Sequence, residues 1–386
     1  MNAQAITPEC IWPVGAKLGE GPVWHADEGR LYFVDIKGRK LHRCDAQGGN
    51  RETFDMPDET GFALPVQGGG LICGLPGQLV HYDPARATFK GVLTLEEQLP
   101  GNRMNDASVA PDGALWFGSM DNAEEAPTGA LYRFDGTLRR HDDGYVITNG
   151  PAFSPDRKTF YHTDTLQKRV YAYDVDAAGA LSNRRTFVDI AGSGYPDGTS
   201  VDADGCVWIA LFGGGRAERY SPAGELLDFV VFPCPNVTKI AFGGPDLRTA
   251  FATTAWKGMT DEERTRHPLA GGLFAFDVPV PACRRTTTSW KDPQHEPPEP
   301  TPPLPLARLV RQSGPYRHDR ALPGALYELR HHAGRTAQRP PYHRHRAVGQ
   351  RHQPVQPHPP GAGQARARRH PRRGRHRHGI PAAPDL

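Results

Sequence analysis

Residues 108–119 read SVAPDGALWFGS: an apolar strand, a turn built on Pro-Asp-Gly, then a second apolar strand. The unit recurs. VWHADEGRLYFVD (23–35), AFSPDRKTFYHTD (152–164) and SVDADGCVWIAL (200–211) repeat it closely, and IAFGGPDLRTAFATT (240–254) does so more loosely. ALPVQGGGLICGL (63–75) fills the gap between the first two as a degenerate copy. Alternating apolar residues, β-branched and aromatic enrichment, and Gly, Asp or Pro at the breaks define short antiparallel strands. A third alternating strand follows each copy, as in KLHRCDA, ALYRFDG and GLFAFDV.

Aligned on the turn, the first strands begin near residues 20, 62, 105, 149, 197 and 238. A period of about 41–48 residues is that of a four-stranded propeller blade. The fold expected is an all-β six-bladed β-propeller over residues 1–282. Segments such as RETFDMP and ELLDFVVF supply fourth strands, but none follows the sixth triplet. CIWPVGAKL, near the N-terminus, is therefore expected to close the ring, since an open ring leaves unpaired strand edges. A β-sandwich with accidental internal similarity is the alternative, and six copies at one period speak against it.

The first strand of each blade lines the central channel. The equivalent positions on these strands are Glu20, Phe62, Asn105, Asn149, Asp197 and Thr238. An Asp lies seven residues later in four of them (Asp27, Asp112, Asp156, Asp204), so the register is fixed independently of the channel residues. Carboxylates crowded into a channel lose solvation and repel one another unless a cation neutralises them. Oxygen donors without clustered Cys or His suit a hard or borderline divalent ion: Ca, Mg or Mn, with Fe(II) or Zn also admissible. Each residue also has a plain role open to it, since Glu20 and Asn149 precede Gly-Pro and Asp197 precedes Gly, where turns are shaped.

The motifs GEGPVW, NRMNDASVAPDGALWFGSM, ITNGPAFSPDRKTFYHTDT, YPDGTSVDADGCVW and NVTKIAFGGPDLRTAFATTA follow in order across residues 10–280. Together they resemble the senescence marker protein/regucalcin/gluconolactonase family of six-bladed propellers, most closely its bacterial sugar lactonases of the xylonolactonase and arabinolactonase type. The resemblance implies a divalent metal held by Glu20, Asn149 and Asp197, and a sugar lactone bound by Arg103 and Asn105. The family's Glu after the following Met is offset here, in Met120-Asp121-Asn122-Ala123-Glu124, and Asp121 is the expected substrate contact. The reaction implied is metal-dependent hydrolysis of an aldonolactone, with Asp197 as general base. A non-catalytic calcium-binding regulatory propeller and a propeller interaction scaffold are the competing readings. There is no Gly-x-Ser-x-Gly elbow and no His-Glu-x-x-His pair to support covalent or zinc-protease chemistry.

The chain of 386 residues carries a net charge of +3, an average over an acidic body and a basic tail. Residues 283–386 are rich in Pro, Arg and His, cannot bury a core and are expected to be disordered. Their basic residues are nearly all Arg, as when GC-rich DNA is translated in a shifted frame, so a frameshift product is the reading adopted. The tail contains no nucleic-acid-reading module, and no nucleic-acid partner is expected. Six cysteines without a Cys-x-x-Cys pair, no secretory signal and no apolar run of roughly 20 residues lead to the expectation of a cytoplasmic protein off the membrane, a monomer or small homo-oligomer.

Overall fold

In the computed structural model, which describes residues 6–280 and 287–289, β1 (Glu9–Trp12) opens the chain yet belongs to the last sheet. Blade one is β2 (Gly19–His25), β3 (Arg30–Asp35), β4 (Lys40–Cys44) and β5 (Glu52–Asp55). Blade two is β6 (Phe62–Pro65), β7 (Leu71–Leu75), β8 (Gln78–Asp83) and β9 (Thr88–Thr94). β10 (Asn102–Val109), β11 (Leu115–Asp121), β12 (Gly129–Phe134) and β13 (Leu138–Tyr145) make blade three. β14 (Thr148–Phe153), β15 (Thr159–Asp164), β16 (Arg169–Val175) and β17 (Leu181–Asp189) make blade four. Blade five is β18 (Tyr195–Val201), β19 (Val207–Phe212), β20 (Arg216–Tyr220) and β21 (Leu226–Val231). Blade six adds β22 (Asn236–Gly243), β23 (Thr249–Ala255) and, after the short helix α1 (Asp261–Arg266), β24 (Leu273–Asp277).

Each sheet is an antiparallel meander in chain order, except the sixth, ordered β1-β24-β23-β22. The six inner strands β2, β6, β10, β14, β18 and β22 touch in cyclic succession, so the sheets form a closed six-bladed propeller. The expected closure by the N-terminal segment is what the sheet order shows. Trp12 at the end of β1 packs edge-on against Phe33 of blade one, with ring centroids 5.5 Å apart. Leu31, Phe251 and Leu273 join the same buried cluster, which therefore seals blade six to blade one with apolar contact as well as ladder bonds.

Five of the six inner strands break register at the residue that faces the channel. The irregularities fall between Glu20 and Val23, Met104 and Ala107, Asn149 and Ala152, Pro196 and Thr199, and Val237 and Lys239. A bulge twists the strand locally and re-aims a side chain. Gly150 is needed for one of them: its φ is +56°, and a Cβ there would lie 2.5 Å from Thr199 Oγ1. Only β6 pairs without interruption, and its Phe62 turns into the core against Phe117.

Contact with the propeller extends past the expected boundary at residue 282. Thr288 forms a parallel bridge with Val66, its N–H donating to the Pro65 carbonyl at 3.2 Å, and Ser289 N–H donates to the Gly113 carbonyl at 2.8 Å. A truncation that respects the fold is thus placed after Ser289. The rest of the tail expected to be disordered lies outside the described residues. Five cysteines are free thiols among the described residues, none of whose helices is long and apolar enough to cross a membrane.

Candidate active site

At the end of the channel where the inner strands begin lies a cavity of about 300 Å³. Glu20, Arg103, Asn105, Asn149 and Asp197 all line it, so five of the residues singled out from the sequence converge on one space. A larger cavity of about 470 Å³ sits between blades four and five, lined by Asp156, Asp204 and Pro222, and collects none of them. Among the six equivalent inner positions, Phe62 and Thr238 do not line the cavity. The Thr238 hydroxyl instead donates to the Gly19 carbonyl at 2.6 Å, tying blade six to the residue before Glu20.

Polar side chains form a chain along one wall. Arg103 Nη1 donates to Asn105 Oδ1 at 2.6 Å, and Asn105 Nδ2 donates to Asn149 Oδ1 at 2.8 Å and to the Thr148 carbonyl at 2.6 Å. Asn149 Nδ2 donates to Thr165 Oγ1 at 2.9 Å. Arg103 is also held by Asn122 Oδ1, 3.0 Å from its Nε. The guanidinium is therefore aimed by three blade-three groups: the side chains of Asn105 and Asn122 and the Met104 carbonyl.

Glu20 and Asp197 form the acidic part. Both are buried and within hydrogen-bonding reach of each other, and Glu20 Oε2 accepts the Gly21 N–H at 2.9 Å. Burial first, and then the Asp106 charge, push the Glu20 carboxyl up to about 7. Burial and the neighbouring Glu20 raise Asp197 well above the ordinary carboxylate range. Neither carboxylate has a direct ion-pair partner among the described residues: Arg103 donates through Nε and Nη1 to amide oxygens, Lys257 pairs with Glu124, and Lys239 pairs with Asp106, so these cations act on the two carboxylates only from a distance. No cluster of three His, Cys, Asp or Glu occurs among the described residues, so the donor set on offer is two carboxylates and the Asn149 carboxamide oxygen. Two buried, mutually repelling carboxylates beside a neutral oxygen fit a hard divalent cation.

Asp121 is placed elsewhere than expected. It does not line the cavity, because its carboxylate accepts the Ala123, Glu125 and Ala126 N–H groups at 3.2, 3.0 and 2.8 Å and organises the β11–β12 loop. That loop carries Glu124, at φ +64°, into the cavity wall, where it meets Lys257 from beyond β23. Beneath the site runs a second feature the sequence did not disclose. The Lys239 ammonium, on β22, is buried against the Asp106 carboxylate on β10, which also accepts the Gly150 N–H at 2.9 Å.

The sequence model described as the SMP-30/gluconolactonase/LRE-like region matches residues 18–256. A 6-deoxy-6-sulfogluconolactonase from Pseudomonas putida is 36% identical over 282 residues, covering 72% of this chain and 97% of that protein. A pentonolactonase from Haloferax volcanii is 37% identical, covering 71% and 95%. The crystal structure of a calcium-binding protein, regucalcin, from Agrobacterium tumefaciens superposes with a TM-score of 0.71 at 28% identity, covering 74% of this chain and 98% of the other. The chain belongs to the SMP-30/gluconolactonase/LRE-like family.

Proposed function

We propose that this chain hydrolyses a sugar lactone to its aldonic acid in the channel cavity, with one divalent cation held by Glu20, Asn149 and Asp197. The observation that carries this reading is the pair of buried carboxylates without a direct ion-pair partner, both still raised above the ordinary range, set beside an open cavity with aimed hydrogen-bond donors. The lactonase relatives support the reaction class. A cation bound there supplies Lewis-acid polarisation of the lactone carbonyl. Arg103 presents guanidinium N–H groups to the ring hydroxyls, and Asn105, fixed between Arg103 and Asn149, sets the depth at which the ring sits. Asp197, whose burial makes it a strong proton acceptor, takes the proton of the attacking water. As water adds to the carbonyl carbon, the bond to the ring oxygen breaks. Asp197 then gives that proton to the ring oxygen, which leaves as a hydroxyl, and the new carboxylic acid releases its own proton to solvent as the carboxylate.

Acid release from a panel of xylono-, arabino- and gluconolactones tests this directly. Turnover is expected on at least one, to stop on chelation with EDTA and to return with one of Ca, Mg, Mn, Zn or Fe(II). A panel without turnover in any metal refutes hydrolysis, and turnover indifferent to EDTA refutes the cation. A gluconolactone sulfonated at C6 belongs in the panel, because Lys257 brings a cation to the cavity wall and one relative is named for that substrate. Removing that cation by Lys257→Ala is expected to raise KM for the sulfonated lactone several-fold and to leave the neutral lactones nearly unchanged.

A further inference from the structure

Three side chains outside the cavity converge on Arg103. Asn122, in the β11–β12 loop, accepts with one atom from two cations: Lys37 Nζ lies 2.7 Å from its Oδ1, and Arg103 Nε lies 3.0 Å from the same oxygen. Lys37, in the β3–β4 turn, also donates to both oxygens of Glu59, in the β5–β6 loop, at 3.1 and 2.9 Å. The Asn122 carboxamide is within hydrogen-bonding reach of Glu59 as well. None of the three lines the cavity. Their charges are nevertheless matched to Arg103. Burial pulls the guanidinium below its ordinary range, and Glu59 is the foremost of the charges that oppose this. Burial would raise the Glu59 carboxyl, but Lys37 and then Arg103 outweigh it and hold it below the usual carboxylate range. An exposed ion pair contributes little by itself. This one is mostly covered, with Lys37 and Glu59 side chains only 15% and 17% exposed, and it ends on a residue of the site.

We propose that Glu59 and Lys37 are positioning residues for Arg103: acting through Asn122, they fix the direction in which the guanidinium meets a sugar hydroxyl. Donor and acceptor identities force the arrangement. A carboxamide can turn over and exchange its oxygen for its nitrogen, and Asn122 turned over could not accept from Arg103. Lys37 prevents this, because an ammonium only donates and only the oxygen can receive it. Glu59, which when ionised only accepts, holds the ammonium with both oxygens and suits the amide nitrogen beside it. The guanidinium is then pinned on two edges, Nε by Asn122 and Nη1 by the Met104 carbonyl and Asn105. Nη2 alone is left uncommitted among the described residues, so its N–H groups are the ones presented to the substrate. A planar fork held on two edges cannot swing, and a small misplacement of such a group costs much of its worth. What Arg103 binds rests on the lactone reading of the cavity; how Arg103 is held does not.

Steady-state kinetics of the full chain, on the lactone and with the metal that give the highest turnover, test this. Asn122→Ala and Glu59→Gln are expected to raise KM about ten-fold with kcat within about two-fold, the signature of lost ground-state binding. Asn122→Asp, which keeps an oxygen between the two cations, is expected to recover most of what Asn122→Ala loses. In an Arg103→Lys background, whose KM is already raised, Glu59→Gln is expected to change nothing further, because it acts through Arg103. A second measurement needs no turnover. In protein labelled with nitrogen-15 arginine, the Arg103 Nε–H signal is assigned by its loss in Arg103→Lys. It is expected to exchange slowly with water in the wild type and about ten-fold faster in Asn122→Ala and Glu59→Gln. An unchanged signal in both variants overturns the inference, as does a Glu59→Gln effect on KM of equal size in both backgrounds. A wild type without turnover refutes the lactone reading instead, and the arginine signal then decides by itself whether Glu59 and Asn122 hold Arg103.

Discussion

Asp197→Asn is expected to lower kcat/KM for lactone hydrolysis by about 10³-fold or more while making the metal-free protein more stable. The first effect follows from the loss of the proposed general base, which alone would contribute about 10²–10⁴-fold, together with one negative donor to the proposed cation. The second follows from the electrostatics of the metal-free cavity. Asp197 is buried beside Glu20, and the Asp106 charge raises both carboxyls further. A neutral isostere removes a desolvated charge and its repulsion, a gain of about 1–2 kcal/mol of the kind seen when a functional residue is neutralised. Urea titrations in EDTA measure it, and thermal melts with added metal supply the second half of the test. Wild type should rise in melting temperature on metal addition, whereas Asp197→Asn should rise far less. A variant that keeps its turnover, or responds to metal as wild type does, removes Asp197 from the site.

The same repulsion gives the metal-free protein a definite dependence on pH. An unfolded Glu loses its proton near 4.3, while folded Glu20 keeps one up to about 7. Between those values the folded state holds more protons than the unfolded one, so this group's share of stability is lost as pH rises and levels off above about 7. Glu20→Gln is expected to abolish that slope. The difference in urea midpoint between wild type and Glu20→Gln, followed across pH in EDTA, reads it; a difference independent of pH contradicts the assignment.

Turn chemistry made the fold legible from the chain alone. Each Asp-Gly or equivalent turn fixes the hairpin between the first two strands of a blade, and six such turns at one period leave little else but a propeller. The same register placed Glu20, Asn105, Asn149 and Asp197 on the channel, because a bulge recurs at the same point of β2, β10, β14 and β18. The register for Thr238, and the family resemblance for Asp121, named a side chain that has a nearer use. Thr238 is captured by the Gly19 carbonyl, and Asp121 is captured by three amides of its own loop. Which acid of the stretch Asp121–Glu125 faces the cavity depends on the left-handed turn at Glu124, and neither spacing nor composition reports that turn. Lys239 was hidden differently. In NVTKIAF a lone Lys reads as a solvent-facing residue, and its partner lies 133 positions away across the ring.

That buried pair is where the largest loss of stability is expected. Lys239 and Asp106 are almost wholly inaccessible, and the Lys239 stem passes so close to Gly198 that a Cβ there would lie 2.4 Å from its Cγ. The Lys239 stem thus passes Gly198 of blade five to bring the ammonium to Asp106, linking blade six to blade three. Lys239→Met keeps the stem and removes the charge, leaving Asp106 uncompensated beside Glu20 and Asp197. Breaking a buried pair from one side costs about 3–5 kcal/mol, and here the orphaned carboxylate joins two others in one channel. Asp106→Asn is expected to cost a similar amount by stranding the ammonium, although its amide oxygen can still accept the Gly150 N–H. The double variant Asp106→Asn/Lys239→Met buries no net charge, keeps that acceptor and should recover most of the loss, because two well-packed neutral groups often match a buried ion pair. Urea denaturation of all four proteins in EDTA closes the cycle. Single-variant losses that simply add in the double variant would mean that the two charges do not act as a pair.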